Sequence, residues 1–217
     1  MKKKVLITGS TGMVGGIVLQ LCLLNNDIAE IIALVRKPTL KVHEKYKEVI
    51  VNDFSDYQPY THLFKQVDIV YYCLGAYTGT VSSTEFRMIN FDYPYNLAKE
   101  IYYHSPNSIF CLLSGQGADR TEKSKMQFAR DKGAIENALS KLGFQSFYTF
   151  RPGYIYPTIK RKEPNLMYTL SRLFYPIIRL LGKNLSITDQ QLAKTIFLVG
   201  MNGYQKEILE NREMISI

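Results

Sequence analysis

The chain has 217 residues, 46% of them hydrophobic and 21% charged, with a formal net charge of +8. That length suits one sizeable core, or a core with a small appendage, and the composition is that of a globular protein rather than a disordered or fibrous one. No apolar run reaches the roughly 18 residues needed to span a bilayer, and the basic start leads into an apolar stretch that stops at Thr8-Gly9, a strand rather than a signal peptide.

In chain order, the first unit carries the most information. Lys4 to Ile7 reads as a buried strand, and Thr8-Gly9-Ser10-Thr11-Gly12-Met13-Val14-Gly15 turns through glycines spaced GxxGxxG. Val14, Ile17, Val18, Leu21 and Leu24 then recur at helical spacing. Strand, glycine turn and helix together are the context of a dinucleotide site. Gly9 permits the turn, Gly12 lets backbone approach a pyrophosphate, and Gly15 lets the helix pack on the strand. The free N–H groups of the helix start face the phosphates.

Strand two is Ile31 to Val35, followed by Arg36-Lys37. An acidic residue at this place would accept from a ribose 2′-hydroxyl, whereas an arginine can hold a 2′-phosphate, so NADP is favoured over NAD. A solvated strand end is the plainer alternative. Strand three is Val49 to Val51, and Asp53 and Phe54 after it are placed either to contact adenine or simply to form a turn. Strand four, Val67 to Leu74, ends in Cys73-Leu74-Gly75, where Gly75 would let backbone pass close to the cofactor. A helix from about 83 to 103 carries Asn90, a poor helix former that either orients a group near the cofactor or lies on the surface. Strand five is Ser108 to Leu113, a helix covers about 124 to 142, and strand six is Ser146 to Phe150.

Alternating strands and helices predict an α/β fold, a doubly wound parallel sheet of order 3-2-1-4-5-6, with its ligand beyond the carboxyl ends of the strands. Residues 1–153 are expected to form the cofactor-binding core and 154–217 a small lobe on the substrate side. That lobe is not expected to build a parallel sheet of its own. It should hold a mixed helical stretch over 166–181, broken at Pro176, and a last helix over about 189–201 capped by Thr188 or Asp189.

Cys22, Cys73 and Cys111 lie in apolar segments without paired or metal-ligand spacing, which fits small buried side chains in a reducing cytoplasm. His43, His62 and His104 are isolated, so no metal site is read. The basic clusters Lys2-Lys3-Lys4 and Lys160-Arg161-Lys162 lack any nucleic-acid-binding pattern. The stretch 171–183 could lie on an anionic membrane, but it reads better as a packed helix. Neither nucleic acid nor membrane is therefore expected as a partner.

Taken jointly, TGSTGMVG, LVRKP, VNDF, CLGAYTGT, LLSGQGAD and FRPGYIYP resemble, in order and spacing, an atypical short-chain dehydrogenase/reductase of the NmrA-like and Tat-interacting-protein-like branch. The resemblance implies a Rossmann fold with an NADP preference. It places Ser114, Lys132 and Pro152-Gly153 around the nicotinamide. In that superfamily a serine binds the substrate carbonyl and a tyrosine passes the proton. A lysine four residues later holds the ribose and lowers the phenol's pKa. Here Lys132 is present, but the tyrosine position holds Phe128 and the second serine position holds Gly115. Tyr77, Tyr154 and Tyr156 follow strand ends and are the alternatives, Tyr154 first. Two functions stay open: an oxidoreductase on a small carbonyl substrate with an incomplete catalytic set, and a regulatory module that senses NADP(H) and binds a protein partner.

Overall fold

The computed structural model describes residues 2–77, 79–159, 169, 172–175, 182 and 184–217. Seven strands, numbered in chain order, form one sheet: β1 (Lys3–Thr8), β2 (Ile28–Val35), β3 (Tyr46–Ile50), β4 (Ile69–Tyr72), β5 (Ile109–Leu113), β6 (Ser146–Arg151) and β9 (Ile208–Glu210). Their order is β3-β2-β1-β4-β5-β6-β9, and every pairing is parallel. The expected doubly wound order is present, extended at one edge by β9.

The central strands read as unbroken apolar runs because both faces are covered. Val5 and Ile7 of β1 enter one core with Val14 and Val18 of α1 (Met13–Leu24) and Leu192 and Ile196 of α5 (Asp189–Asn202). Leu6, between them, enters the other core. There it meets Leu97 and Ile101 of α3 (Tyr93–His104) and Ile135 and Leu139 of α4 (Gln127–Ser140).

The helix expected over 83–103 is present but composite. It begins as α2 (Ser83–Arg87), capped by Ser82, whose hydroxyl accepts from the Glu85 amide. It passes through a π-type stretch, Met88–Asp92, and continues as α3. The wider turn contains Asn90, the residue that propensity marked as out of place. π-type turns of this sort often accompany functional sites.

Beyond residue 153 the sequence reading needs correction. A parallel pair joins β7 (Tyr154–Tyr156) to β8 (Ser186–Thr188), and β9 docks beside β6. Each of these strands has three residues, too few for the alternation by which a strand is recognised. The last long helix fares better: α5 starts where expected, and the Thr188 hydroxyl accepts from the Gln191 amide in a capping box. The short α6 (Asn211–Met214) follows β9. Most of the helical stretch expected over 166–181, its break at Pro176, the 160–162 cluster and most of 171–183 lie outside the described residues.

Candidate functional site

The glycine turn is tight enough that its residue types are dictated by contact. Gly9 sits at φ 70°, and a Cβ there would lie 2.6 Å from the Cys73 carbonyl oxygen. A Cβ on Gly15 would lie 2.2 Å from the Gly9 carbonyl oxygen, so α1 could not seat on the turn with any side chain there. The Gly12 amide donates to the Gly9 carbonyl at 2.9 Å, and Gly12 is the residue that precedes α1. Ser10 is buried, Thr11 exposed and Met13 half-buried, while Val14 points into the core. The Cys73 thiol lies beneath the turn, and burial pushes its pKa up to about 12, so it is no nucleophile. Leu74 is half-buried and packs against the second core.

Arg36 and Lys37 are exposed beyond the end of β2. Asp53 is exposed and accepts from the amide and hydroxyl of Ser55, which hold its carboxyl below the usual range. It thus forms the turn that was one of its two readings. Phe54 is buried, in aromatic contact with Tyr57 and Tyr93. Arg36 places its charge near Tyr93, which connects the basic segment to this aromatic group.

At the other end Gly75, Asn90 and Lys132 converge. A Cβ on Gly75 would stand 3.3 Å from Asn90 Oδ1 and 3.8 Å from Lys132 Nζ. Asn90 is buried; its Nδ2 donates to the Phe86 carbonyl at 2.9 Å, and its Oδ1 is without a hydrogen-bond partner. The Thr8 hydroxyl, at the end of β1, is also buried and unpartnered. Lys132 is only 6% exposed. Its pKa falls to about 8 because burial penalises the charged form, against the pull of Glu136 and Asp131.

Two expected groups are otherwise engaged. The Ser114 hydroxyl donates to Glu136 Oε1 at 2.6 Å. Glu136 also accepts from Thr149, Arg120 and Arg151. Phe128 turns its ring tip onto Gly115, where a Cβ would be 2.6 Å away. Pro152 is buried, and Gly153 is pressed against the Leu185 carbonyl, 2.5 Å from where its Cβ would be. Tyr154 and Tyr156 gather with Tyr175, the Tyr156 and Tyr175 rings stacking at 3.8 Å. Tyr77 is half-buried after β4.

Sequence reasoning missed Glu136. The available signal was its place four residues after Lys132, on a helix face that otherwise buries Ala129, Ile135 and Leu139. A charged residue in such a stripe is expected to have buried partners.

The residues present fit a dinucleotide. A Cβ is excluded at Gly9 and Gly15 of the turn where a pyrophosphate would approach, the buried Thr8 and Asn90 oxygens lack partners, and the buried Lys132 ammonium stands beside Gly75 and Asn90. Among the described residues no three His, Cys, Asp or Glu side chains gather as a metal-ligand set. Among the same residues no helix is long and apolar enough to cross a membrane.

Comparison with known proteins bears on this geometry. Residues 5–136 match the NAD dependent epimerase/dehydratase family. The chain is 27% identical over 220 residues to Protein HTATIP2 of Rattus norvegicus, covering 99% of this chain and 89% of that protein. Its fold is similar to that of Gre2 from Candida albicans, solved in complex with NADPH, with a TM-score of 0.72 at 15% identity, over 96% of this chain and 78% of that one. It is also similar to Bordetella bronchiseptica WbmH, solved in complex with NAD+, with a TM-score of 0.69 at 17% identity, over 93% and 72%. With its glycine turn and parallel sheet, the chain belongs to the NAD dependent epimerase/dehydratase family and is an atypical member of the short-chain dehydrogenase/reductase superfamily.

Proposed function

We propose that this protein binds NADP(H) through the glycine turn, Arg36, Lys37 and Lys132, and that its site lacks the proton donor of the family's oxidoreductases. One observation carries the second half: the ring of Phe128 lies against Gly115, so apolar carbon fills the place where the superfamily has its hydroxyl pair. Ser114 does not make up the loss, since its hydroxyl is committed to Glu136.

In this reading the amides from Gly12 to Gly15 receive the pyrophosphate. Arg36 and Lys37 meet the 2′-phosphate with charge-assisted hydrogen bonds. Lys132 and Asn90 hold the nicotinamide ribose beside Gly75, and Pro152-Gly153 borders the ring. Bound NADPH would supply a hydride. Residues 1–153 hold the cofactor, and 154–217 supply the side from which a small carbonyl or conjugated substrate enters. Any turnover takes its proton from water or from Tyr154 and is slow on common carbonyl compounds.

NADPH and NADH are to be titrated into wild type and Arg36→Ala. Loss of one or two charge-assisted hydrogen bonds predicts NADPH binding weakened by about tenfold or more in Arg36→Ala, with NADH weak in both. No binding of either dinucleotide overturns the proposal.

A cofactor cradle beside an incomplete catalytic set also favours a second reading, a module whose hold on a protein partner changes with NADP(H). A pull-down in which no partner's retention depends on NADP(H) counts against it.

A further inference from the structure

Between Val35 and Tyr46 the chain leaves the sheet and returns. Residues 36–42, which carry Arg36, Lys37 and Lys41, make no backbone hydrogen bond to the sheet. Leu40, within this segment, sits at φ 59° and is 88% exposed, a left-handed conformation that a side chain resists. Some contact must therefore hold the segment in shape.

That contact is one carboxylate. The Thr39 amide donates to Glu48 Oε2 at 2.8 Å, and the Thr39 hydroxyl donates to Glu48 Oε1. The Tyr46 hydroxyl donates to the same Oε1 at 2.8 Å. Glu48 stands in β3 opposite Ala33 of β2, and Tyr46 lies two residues earlier on the same face of the strand. That face belongs to α1: Tyr46 packs against the core that α1 shares, and Ser10 of the glycine turn lies beside its hydroxyl. An unbroken line of contacts thus runs from the glycine turn through Tyr46 and Glu48 to Thr39 and the basic segment.

The carboxylate accepts three hydrogen bonds, two on Oε1 and one on Oε2. Burial pushes its pKa up, but Thr39, Tyr46 and the nearby charge of Lys41 outweigh this and keep it ionised. A free carboxylate at this place would accept from a ribose hydroxyl and repel a phosphate. One engaged by three donors has little acceptor capacity left for a ribose hydroxyl, and the nearby charge of Lys41 offsets part of its repulsion of a phosphate.

Resting on the NADP reading above, we infer that Glu48 is a positioning residue for the adenosine 2′-phosphate: by clamping Thr39 it holds the segment that carries Arg36 and Lys37 in the shape that receives the phosphate. Arg36 and Lys37 themselves are exposed and make no ion pair among the described residues, so their placement is left to the backbone that Thr39 anchors.

The test is the affinity for NADP+ and for NAD+ of wild type, Glu48→Gln, Thr39→Val and Arg36→Ala/Thr39→Val, with the thermal midpoint of each. Thr39→Val removes one donor and keeps the shape, so it serves even where Glu48→Gln fails to fold. The expected result is NADP+ binding weakened about tenfold in Thr39→Val and Glu48→Gln, with NAD+ changed less than about twofold. Thr39→Val should add nothing further once Arg36 is gone. Tighter NADP+ and weaker NAD+ in Glu48→Gln would overturn the inference and make Glu48 a direct ribose ligand. Equal weakening of both cofactors would reduce it to a structural residue. Unchanged variants beside a wild type that prefers NADP+ sink the clamp alone. A wild type without that preference sinks the NADP reading and the clamp with it.

Discussion

Lys132 shows at the residue scale how function is held against stability. Burying an ammonium among apolar groups disfavours its charged form, and here the pKa falls to about 8. The unfolded chain holds that proton up to about pH 10.4, so between these values the unfolded state binds more protons and stability rises with pH. Below pH 8 the cost is present in full, on the order of 3 kcal/mol by the size of the shift. Lys132→Met should therefore raise stability at pH 7 by up to about 3 kcal/mol, with the gain fading as pH approaches 10. Urea unfolding of both proteins at pH 7 and pH 9.5 checks this; a gain that does not shrink at the higher pH refutes it. A residue kept at such a cost beside Gly75 and an unpartnered Asn90 oxygen fits a ligand-holding role better than a structural one.

The first βα unit sets the terms for the rest at the element scale, and two of its glycines separate packing from propensity. Gly15 lies where a Cβ would be 2.2 Å from a backbone oxygen, whereas a Cβ on Gly16 would be 3.4 Å from Ser10 O, an ordinary contact. Both lie within α1. Gly15→Ala must push α1 off the turn, so dinucleotide binding is lost and stability drops by about 2 kcal/mol or more, as overpacking predicts. Gly16→Ala keeps binding and gains up to about 1 kcal/mol from helix propensity. Thermal melts with a dinucleotide titration for each variant distinguish the two outcomes. Similar behaviour of the two variants would mean that the turn tolerates movement of α1. The break between α2 and α3 follows the same logic. An extra residue in the Met88–Asp92 turn changes which side chains face the sheet, and Asn90 ends inside.

The whole molecule is closed by one fully buried carboxylate. Glu136 joins the chain just past β5 through Ser114, β6 through Thr149 and Arg151, and the loop before α4 through Arg120. Arg120 and Arg151 extend outward to Glu207 and Glu210, the residues that bring in β9. Burial alone would raise the pKa of Glu136, but hydrogen bonds from Arg151, Ser114 and Arg120, with the charge of Arg151, hold it below the usual range. A carboxyl depressed in this way stabilises the fold above its unfolded value of about 4.3, and the contribution is lost as pH falls through the lower folded value. Glu136→Gln should cost about 1.5–3 kcal/mol near pH 7, because it takes the buried charged acceptor from Arg120 and Arg151, which keep only Glu207 and Glu210. The gap to wild type should narrow as pH drops below about 4.3. Denaturant midpoints from pH 7 to pH 3 measure it, and a constant gap would show that the carboxylate does not titrate with folding.

Much of this was legible in the sequence, for a local reason. A strand buried on both faces needs an unbroken apolar run, a tight turn needs glycines at set places, and a helix needs its apolar stripe. Each requirement is met within a dozen residues, so β1 to α1, the sheet order and the family resemblance follow from the chain read alone. Three-residue strands carry no such period, and β7, β8 and β9 exist because distant segments supply their hydrogen bonds. The same holds for the site. Lys132 and Phe128 could be named from the family resemblance, but only the folded chain ties Ser114 to Glu136, lays Phe128 on Gly115 and clamps Thr39 with Glu48. These pairs are formed by side chains from separate elements, and which polar groups meet inside a core is settled by how those elements pack.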